Sequence, residues 1–381
     1  MVFSLAACGG GNAETPAPET TTPTESGAPA ETTPATDMKV AMITDYGDIT
    51  DQSFNQTTYE ACNEFCTANS VEFTYYKPAG DSTAERVAMV DASVAEGYNV
   101  IVMPGYAFAE TIKETADMYP DVTFIALDVG EGDLGADYTV PSNVYCAVYQ
   151  EELCGYMAGY AAVKLGYTHL GFLGGMAVPA VQRYGYGFIQ GADAAAVELG
   201  NGADVTVEYV YGNQFFGDAD ITAYMDNWYQ TQGVEVVFAC GGGIYTSAAE
   251  AAAKVDGKVI GVDVDQAGII DAYGEGMTVT SAMKGLANTT KHLLQETMDG
   301  NFANYGGQIE TLGLVSGDDP TANYVQLPME STQWSDSFTQ DNYKALVAGM
   351  FDGTITVSND VSVAPADNAT AITVNAYDNI K

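Results

Sequence analysis

The chain has 381 residues, 47% of them hydrophobic, enough for two lobes of ordinary domain size with sizeable cores. Its 12 Lys and Arg stand against 51 Asp and Glu, a formal charge of −39, which argues against nucleic acid as a partner and against wide contact with anionic membrane. With only two histidines, His169 and His292, histidine-rich metal sites and Ser-His or Cys-His catalysis have little to build on.

The first residues read as an address. "LAAC" ending at Cys8, followed by "GGGN", resembles a bacterial lipobox, in which small residues precede a cysteine that takes a lipid. Only seven residues precede Cys8 and none is basic, so the stretch reads as a truncated lipoprotein signal over 1–8. Residues 9–37 are almost wholly Gly, Ala, Glu, Thr, Pro, Ser and Asp. Such a segment cannot bury enough apolar area to offset the entropy of ordering, so a disordered tether is expected. No run approaches the ~20 apolar residues of a spanning helix, so membrane attachment is expected through a lipid on Cys8.

From Met38 short apolar runs alternate with helical patterns. "KVAMIT" predicts a strand, 54–68 a helix, "VEFTYY" a strand, 83–96 a helix, "NVIVMP" a strand, 107–118 a helix and "VTFIALD" a strand. A second set follows: a helix at 151–165, "HLGFLGG", a helix at 181–199, "DVTVEYVYG", a helix at 221–230, "VEVVFACGGG", a helix at 246–255, and "VIGVDVD". "GMTVTSAMK" and a helix after Gly285 continue it; beyond Asn301 the pattern is less regular, with strands at "QIETLGLV" and "NYVQLP" and a helix over 340–351. The fold class is therefore α/β, with two doubly wound parallel-sheet lobes joined by a hinge. The first lobe is expected over 38–146, completed by about 267–318, and the second over 147–266, completed by about 319–381. Cys62, Cys66, Cys146, Cys154 and Cys240 include no C-x-x-C pair and read as small buried residues or free thiols.

Ligands of open parallel sheets bind beyond the carboxyl ends of the strands. Here those ends carry Asp45, Asp128, the glycines 174–175 and 241–243, and Asp263 with Asp265. Each acid alone could be a helix cap or a solvated loop residue; the set draws on both lobes. Phe54 stands between acids and the amide of Asn55 where a strand meets a helix, a place that suits a ligand flat on one side and polar on the other, or else a helix-start staple. No phosphate loop is present, because "ACGGGIYTS" lacks a lysine after its glycines.

"TDYGDITDQSFNQTTYE" resembles the opening motif of the basic membrane protein family, also called purine nucleoside receptor lipoproteins. The resemblance continues through "IVMPGYAFAETIKETADMYPDVTFIALD", "YCAVYQEELCGYMAGYAA", "LGFLGGMAVPAVQRYGYGFIQGA", "VVFACGGGIYTSAAEAA" and "VIGVDVDQ" with "TVTSAMK", in order over about residues 39–294. It implies the substrate-binding part of an ABC importer, with a type I periplasmic-binding-protein fold, no cofactor and no catalysis. It implies that Phe54 stacks on a purine, that Asn55 and Asp128 meet the base edge, and that a second aromatic comes from "YGNQFFGDAD", as Phe216 or alternatively Phe215. It assigns the ribose to Asp263, to Gly242 or Gly243, and to Lys284. Asp45 joins the set through its strand-end position.

The residue types fit independently. Two aromatics can sandwich a base, each stack being worth ~1–3 kcal/mol. An amide suits a purine edge, and a carboxylate can accept from both hydroxyls of a diol. The expectation is thus a lipid-anchored, monomeric, extracellular or periplasmic receptor that closes on a nucleoside and passes it to an ABC permease. The alternatives are a sugar or signal-molecule receptor on the same scaffold, and a nucleoside hydrolase using Asp263 and Asp265 as an acid–base pair.

Overall fold

The computed structural model describes residues 37–381, so Cys8 and nearly all of the expected tether lie outside the described residues. The strands in chain order are β1 (Lys39–Ile43), β2 (Glu72–Tyr76), β3 (Val100–Pro104), β4 (Thr123–Leu127), β5 (Val144–Tyr149), β6 (His169–Gly174), β7 (Thr206–Tyr211), β8 (Val236–Cys240), β9 (Lys258–Asp263), β10 (Thr278–Lys284), β11 (Gln308–Leu312), β12 (Val325–Gln326) and β13 (Thr373–Ala376). Between them run α1 (Phe54–Asn69), α2 (Thr83–Ala95), α3 (Ala109–Thr115), α4 (Glu131–Leu134), α5 (Glu151–Lys164), α6 (Pro179–Leu199), α7 (Ala219–Asn227), α8 (Tyr245–Ala252), α9 (Ala267–Ile270), α10 (Leu286–Met298) and α11 (Gln340–Phe351).

Two sheets result. The first has the order β11-β5-β4-β3-β1-β2 and the second β12-β10-β9-β8-β6-β7-β13. Every pairing is parallel except that of β10 with the short β12. Alternate strand residues feed opposite faces, as the two-residue period of a pleat requires. Val40, Met42, Val100 and Val102 join Cys62 and Phe65 of α1, whereas Ile43, Ile101 and Met103 join Val90 of α2 and Ile112 of α3. In the second sheet Phe172, Tyr209 and Phe238 face α5 and α6, and Leu173, Val210, Val237 and Ala239 face α7 and α8.

The expected division shifts in two places. The boundary at 146/147 falls inside β5, which pairs along its length with β11 and β4 and belongs wholly to the first sheet. Residues 278–284, expected to help complete the first lobe, form β10 and pair with β9 in the second sheet. The chain returns to the first lobe only with α10, which packs on α1, and with β11. It therefore crosses between sheets three times, at Gln150, at Gly285 and over 313–324. The crossings are bonded side by side: Gln150 N donates to Leu312 O (3.0 Å), Tyr324 N to Gly313 O (2.9 Å) and Gly285 N to Tyr324 O (2.7 Å).

One helix pair anchors the second lobe. A Cβ at Gly159 of α5 would stand 2.0 Å from the Phe188 carbonyl oxygen of α6, and one at Gly191 of α6 would stand 2.0 Å from that of Tyr156. A Cβ at Gly155 or Gly187 would come as close to the opposite backbone, 2.2 Å from the Tyr184 carbonyl oxygen and 2.1 Å from that of Glu152. Glycines four residues apart on both helices thus let the two backbones touch, a spacing no larger residue permits. The pairing brings Glu151, at the start of α5, against Arg183 near the start of α6.

Among the described residues no helix is long and apolar enough to cross a membrane, and Cys62, Cys66, Cys146, Cys154 and Cys240 are free and buried.

Candidate ligand-binding cleft

The carboxyl ends of the two sheets face one cavity of about 870 Å³. Its wall includes Asp45, Phe54, Asn55, Asp128, Phe216, Gly242, Asp263 and Lys284. The structure therefore brings all eight residues of the sequence-based set to one place.

Lys284, the last residue of β10, is buried and its ammonium lies at the centre. It lies 2.6 Å from Asp128 Oδ2, 3.4 Å from Glu151 Oε1 and 3.7 Å from Asp263 Oδ1. It also stands 4.8 Å from the Phe54 ring centre, within cation–π range. Burial opposes its charge, but Asp128, Asp263 and Glu151 outweigh that and hold the ammonium above the ordinary lysine range. Burial likewise pushes the Asp128 carboxyl up to about 6, against the pull of Lys284. Glu151 is fully buried, and its other oxygen accepts from Arg183 Nε at 2.7 Å. Three carboxylates thus share two cations.

Asp128 and Asp263 both adopt the left-handed backbone, with φ of 59° and 66°. That conformation is uncommon outside glycine, though aspartate tolerates it, and it turns each chain sharply as it leaves its strand. Asp263 is held from both lobes. Ser53 Oγ donates to its Oδ2 at 2.6 Å and Tyr184 OH to its Oδ1 at 3.3 Å. Nearby, Gln266 Nε2 of the second lobe donates to the Gln52 carbonyl of the first at 3.0 Å.

Ser53 is free for this contact because Asp51 performs the capping. The Asp51 carboxylate accepts from the backbone N–H groups of Ser53 (2.9 Å), Asn55 (2.9 Å) and Gln56 (3.0 Å) at the start of α1. It also accepts from Asn55 Nδ2 at 3.1 Å. A carboxylate can only accept, so this contact fixes the amide's orientation and leaves Asn55 Oδ1 as an acceptor. Asn55 Oδ1 and Asp128 Oδ1 are both buried and without a partner among the described residues. Gly47 makes room for the amide, since a Cβ there would lie 2.1 Å from Asn55 Nδ2. Asp45 accepts from the N–H groups of Tyr46 and Gly47 at 2.7 and 2.8 Å, and burial pushes its carboxyl up to about 6.

The two candidate aromatics of the second lobe differ. Phe216 is 61% exposed and sits at the rim. Phe215 is half-buried and stacks on Tyr46 of the first lobe, with ring centres 6.2 Å apart. Its ring fits because residue 175 is glycine, where a Cβ would lie 2.3 Å from Phe215 Cδ1. Gly242 has φ of 52°, and its neighbour Gly243 donates to the Phe215 carbonyl at 2.9 Å, fixing that loop.

Sequence reasoning missed Tyr46, Ser53, Glu151, Arg183, Tyr184 and Gln266. Ser53 was within reach, since it adjoins Phe54 and Asn55 on one loop. Glu151 and Arg183 carried only one signal, charges standing in otherwise apolar helices. The acid pair required for a hydrolase is not assembled. Asp265 is exposed, accepts from Ser331 Oγ at 2.7 Å and is absent from the cavity wall. Among the described residues no group of three or more His, Cys, Asp or Glu is placed to hold a metal ion.

Residues 38–319 match the family described as ABC transporter substrate-binding protein PnrA-like. The chain belongs to this family. The PnrA-like assignment agrees with similarity to individual proteins. The ABC transporter nucleoside-binding protein BmpA of Lactococcus lactis subsp. cremoris is 27% identical over 300 residues, covering 74% of this chain and 80% of that protein. The CD4+ T-cell-stimulating antigen of Listeria innocua is 27% identical over 317 residues, covering 77% and 84%. Among solved structures, the solute-binding protein of an ABC transporter system from Aeropyrum pernix superposes with a TM-score of 0.64 at 22% identity, over 85% of this chain and 88% of that one. One from Conexibacter woesei superposes with the same TM-score and identity, over 84% and 99%. These likenesses establish the two-lobed periplasmic-binding-protein-like fold. As a PnrA-like ABC substrate-binding protein the chain binds a ligand and works with an ABC permease, on the extracellular or periplasmic side of the membrane.

Proposed function

We propose that this protein captures a nucleoside, most simply a purine nucleoside, and presents it to the permease of an ABC importer. The observation that carries the reading is that Asn55 and Asp128, each with a buried side-chain oxygen that has no partner among the described residues, line one cavity with the Phe54 ring. An unpaired buried acceptor costs ~1–3 kcal/mol. A ligand whose flat edge donates N–H groups removes that cost, and its π-face has the ring to stack on. Bridged to Asp128 through Lys284, Asp263 accepts from Ser53 and Tyr184 and offers oxygen to a sugar diol. The name of the Lactococcus relative, a nucleoside-binding protein, points the same way.

Capture proceeds by closure. Phe54, Asn55 and Asp128 belong to the first lobe, and Phe215, Asp263 and Lys284 to the second, so a ligand touching both sets favours the closed state over the open one. No bond is made or broken. The lipid on Cys8 holds the receptor at the membrane, and it acts as a monomer.

The test is a panel of adenosine, guanosine, inosine, uridine, adenine and ribose in thermal melts, followed by calorimetry. At 100 times its Kd a ligand adds ~2.7 kcal/mol to stability by mass action. Purine nucleosides are expected to raise the melting temperature most. A response to ribose but to no nucleoside overturns this reading in favour of a sugar receptor. Free base released during incubation with inosine overturns it in favour of a hydrolase.

A further inference from the structure

The PnrA-like match ends at residue 319, yet the cavity wall includes Val361. Val361 lies on a strap, residues 354–381, laid along the outside of the second lobe. The strap is stitched to one face of α6. Gln190 donates from Nε2 to the Ser358 carbonyl (2.9 Å) and accepts at Oε1 from Ser358 N (2.8 Å). Tyr186 OH donates to the Val363 carbonyl at 3.0 Å. Asp193 Oδ1 accepts from the N–H groups of Thr370, Ala371 and Ile372 at 3.0, 2.7 and 3.1 Å. These three side chains stand at i, i+4 and i+7 of the helix, one continuous stripe. Beyond them the strap enters the second sheet as β13.

The anchors at Ser358 and Val363 bracket Val361, and Asp360 Oδ1 tightens the turn between them by accepting from Ser362 N at 2.8 Å and Ser362 Oγ at 2.6 Å. Ser358, Asn359, Asp360 and Ser362 are exposed. Val361 alone among these neighbours turns inward, half-buried and packed against the core. With Val178, Pro179 and Val181 it gives the cavity an apolar stretch at the start of α6.

We propose that Val361 is a specificity-determining residue: the strap, through this one side chain, sets the size of nucleoside edge that fits beside the start of α6. The inference rests on the nucleoside reading above. A fixed turn gives Val361 no freedom to retreat, so added bulk there must be taken from the ligand's volume.

The experiment compares the full chain with Val361→Phe and Asn359→Phe, using adenosine, guanosine and inosine in calorimetry. Val361→Phe is expected to weaken binding by about tenfold or more, and Asn359→Phe, on the exposed side of the same turn, to leave it unchanged. Both should melt within about 2 °C of the parent without ligand. Hydrogen exchange on the unaltered chain is the second reading, and decides the matter if Val361→Phe fails to fold. Saturating nucleoside is expected to slow exchange in 358–363. Binding by the parent with neither a Val361→Phe effect nor protection of 358–363 overturns this inference alone. A parent chain that binds no nucleoside overturns the nucleoside reading and this inference with it.

Discussion

Lys284 Nζ and Asp128 Oδ2 stand 2.6 Å apart, joining the carboxyl end of β10 in the second lobe to that of β4 in the first. Removing one partner of a buried pair leaves uncompensated charge, a loss of ~3–5 kcal/mol. Lys284→Met should therefore destabilise the protein and abolish high-affinity nucleoside binding. The destabilisation should be smaller at pH 5 than at pH 8, because Asp128, already pushed up to about 6 by burial, takes up a proton once its cation is gone. Urea melts at the two pH values check this. A variant with parental stability and parental affinity would show that the pair has no part in the site.

The two adjacent phenylalanines give a sharper test of the aromatic contacts. Phe215→Ala and Phe54→Ala should each weaken nucleoside binding by about tenfold, ~1.4 kcal/mol, in the range of one base stack. Phe216→Ala should change it by less than about twofold, since that ring is 61% exposed. Calorimetry on the three variants decides, and the reverse order for 215 and 216 would hand the role back to Phe216.

Glu152 makes a pH prediction. It is buried, its Oε2 has no partner among the described residues, and burial, with the neighbouring Glu151, pushes its carboxyl from 4.5 up to about 7. The folded chain thus binds this proton more tightly than the unfolded chain does. The stability it contributes is complete below about 4.5 and is lost as pH rises through about 7. The loss amounts to roughly 3 kcal/mol at most. Glu152→Gln has no proton to lose, so the variant should gain on the parent between pH 5 and pH 8. Urea midpoints that run parallel across that range would refute the assignment.

Much of this architecture was legible because both lobes bury their strands on two faces, which leaves continuous apolar runs such as "KVAMIT" and "VVFAC" between helical stretches. What escaped did so for physical reasons. β13 is an edge strand whose only half-buried residue is Val374, so its sequence shows no alternation to read. β10 reads as a strand from its pattern, but only its pairing with β9 reveals which sheet it joins. The strand-end acids were visible because strand ends are visible. Glu151 was not, because its value lies in meeting Lys284, a residue 133 positions away. The difference in setting between Phe215 and Phe216 likewise depends on Tyr46, which stacks on Phe215 from the opposite lobe.

The touching backbones of α5 and α6 carry one more consequence. Where no side chain lies between two helices, no rotamer change can cushion a slip of one against the other. Glu151, Arg183 and Tyr184 are therefore cast in a single stiff block, whose internal spacing any relative motion of the lobes would leave unchanged. Any travel between the lobes would have to be absorbed at the three crossings, with this half of the site as a fixed die.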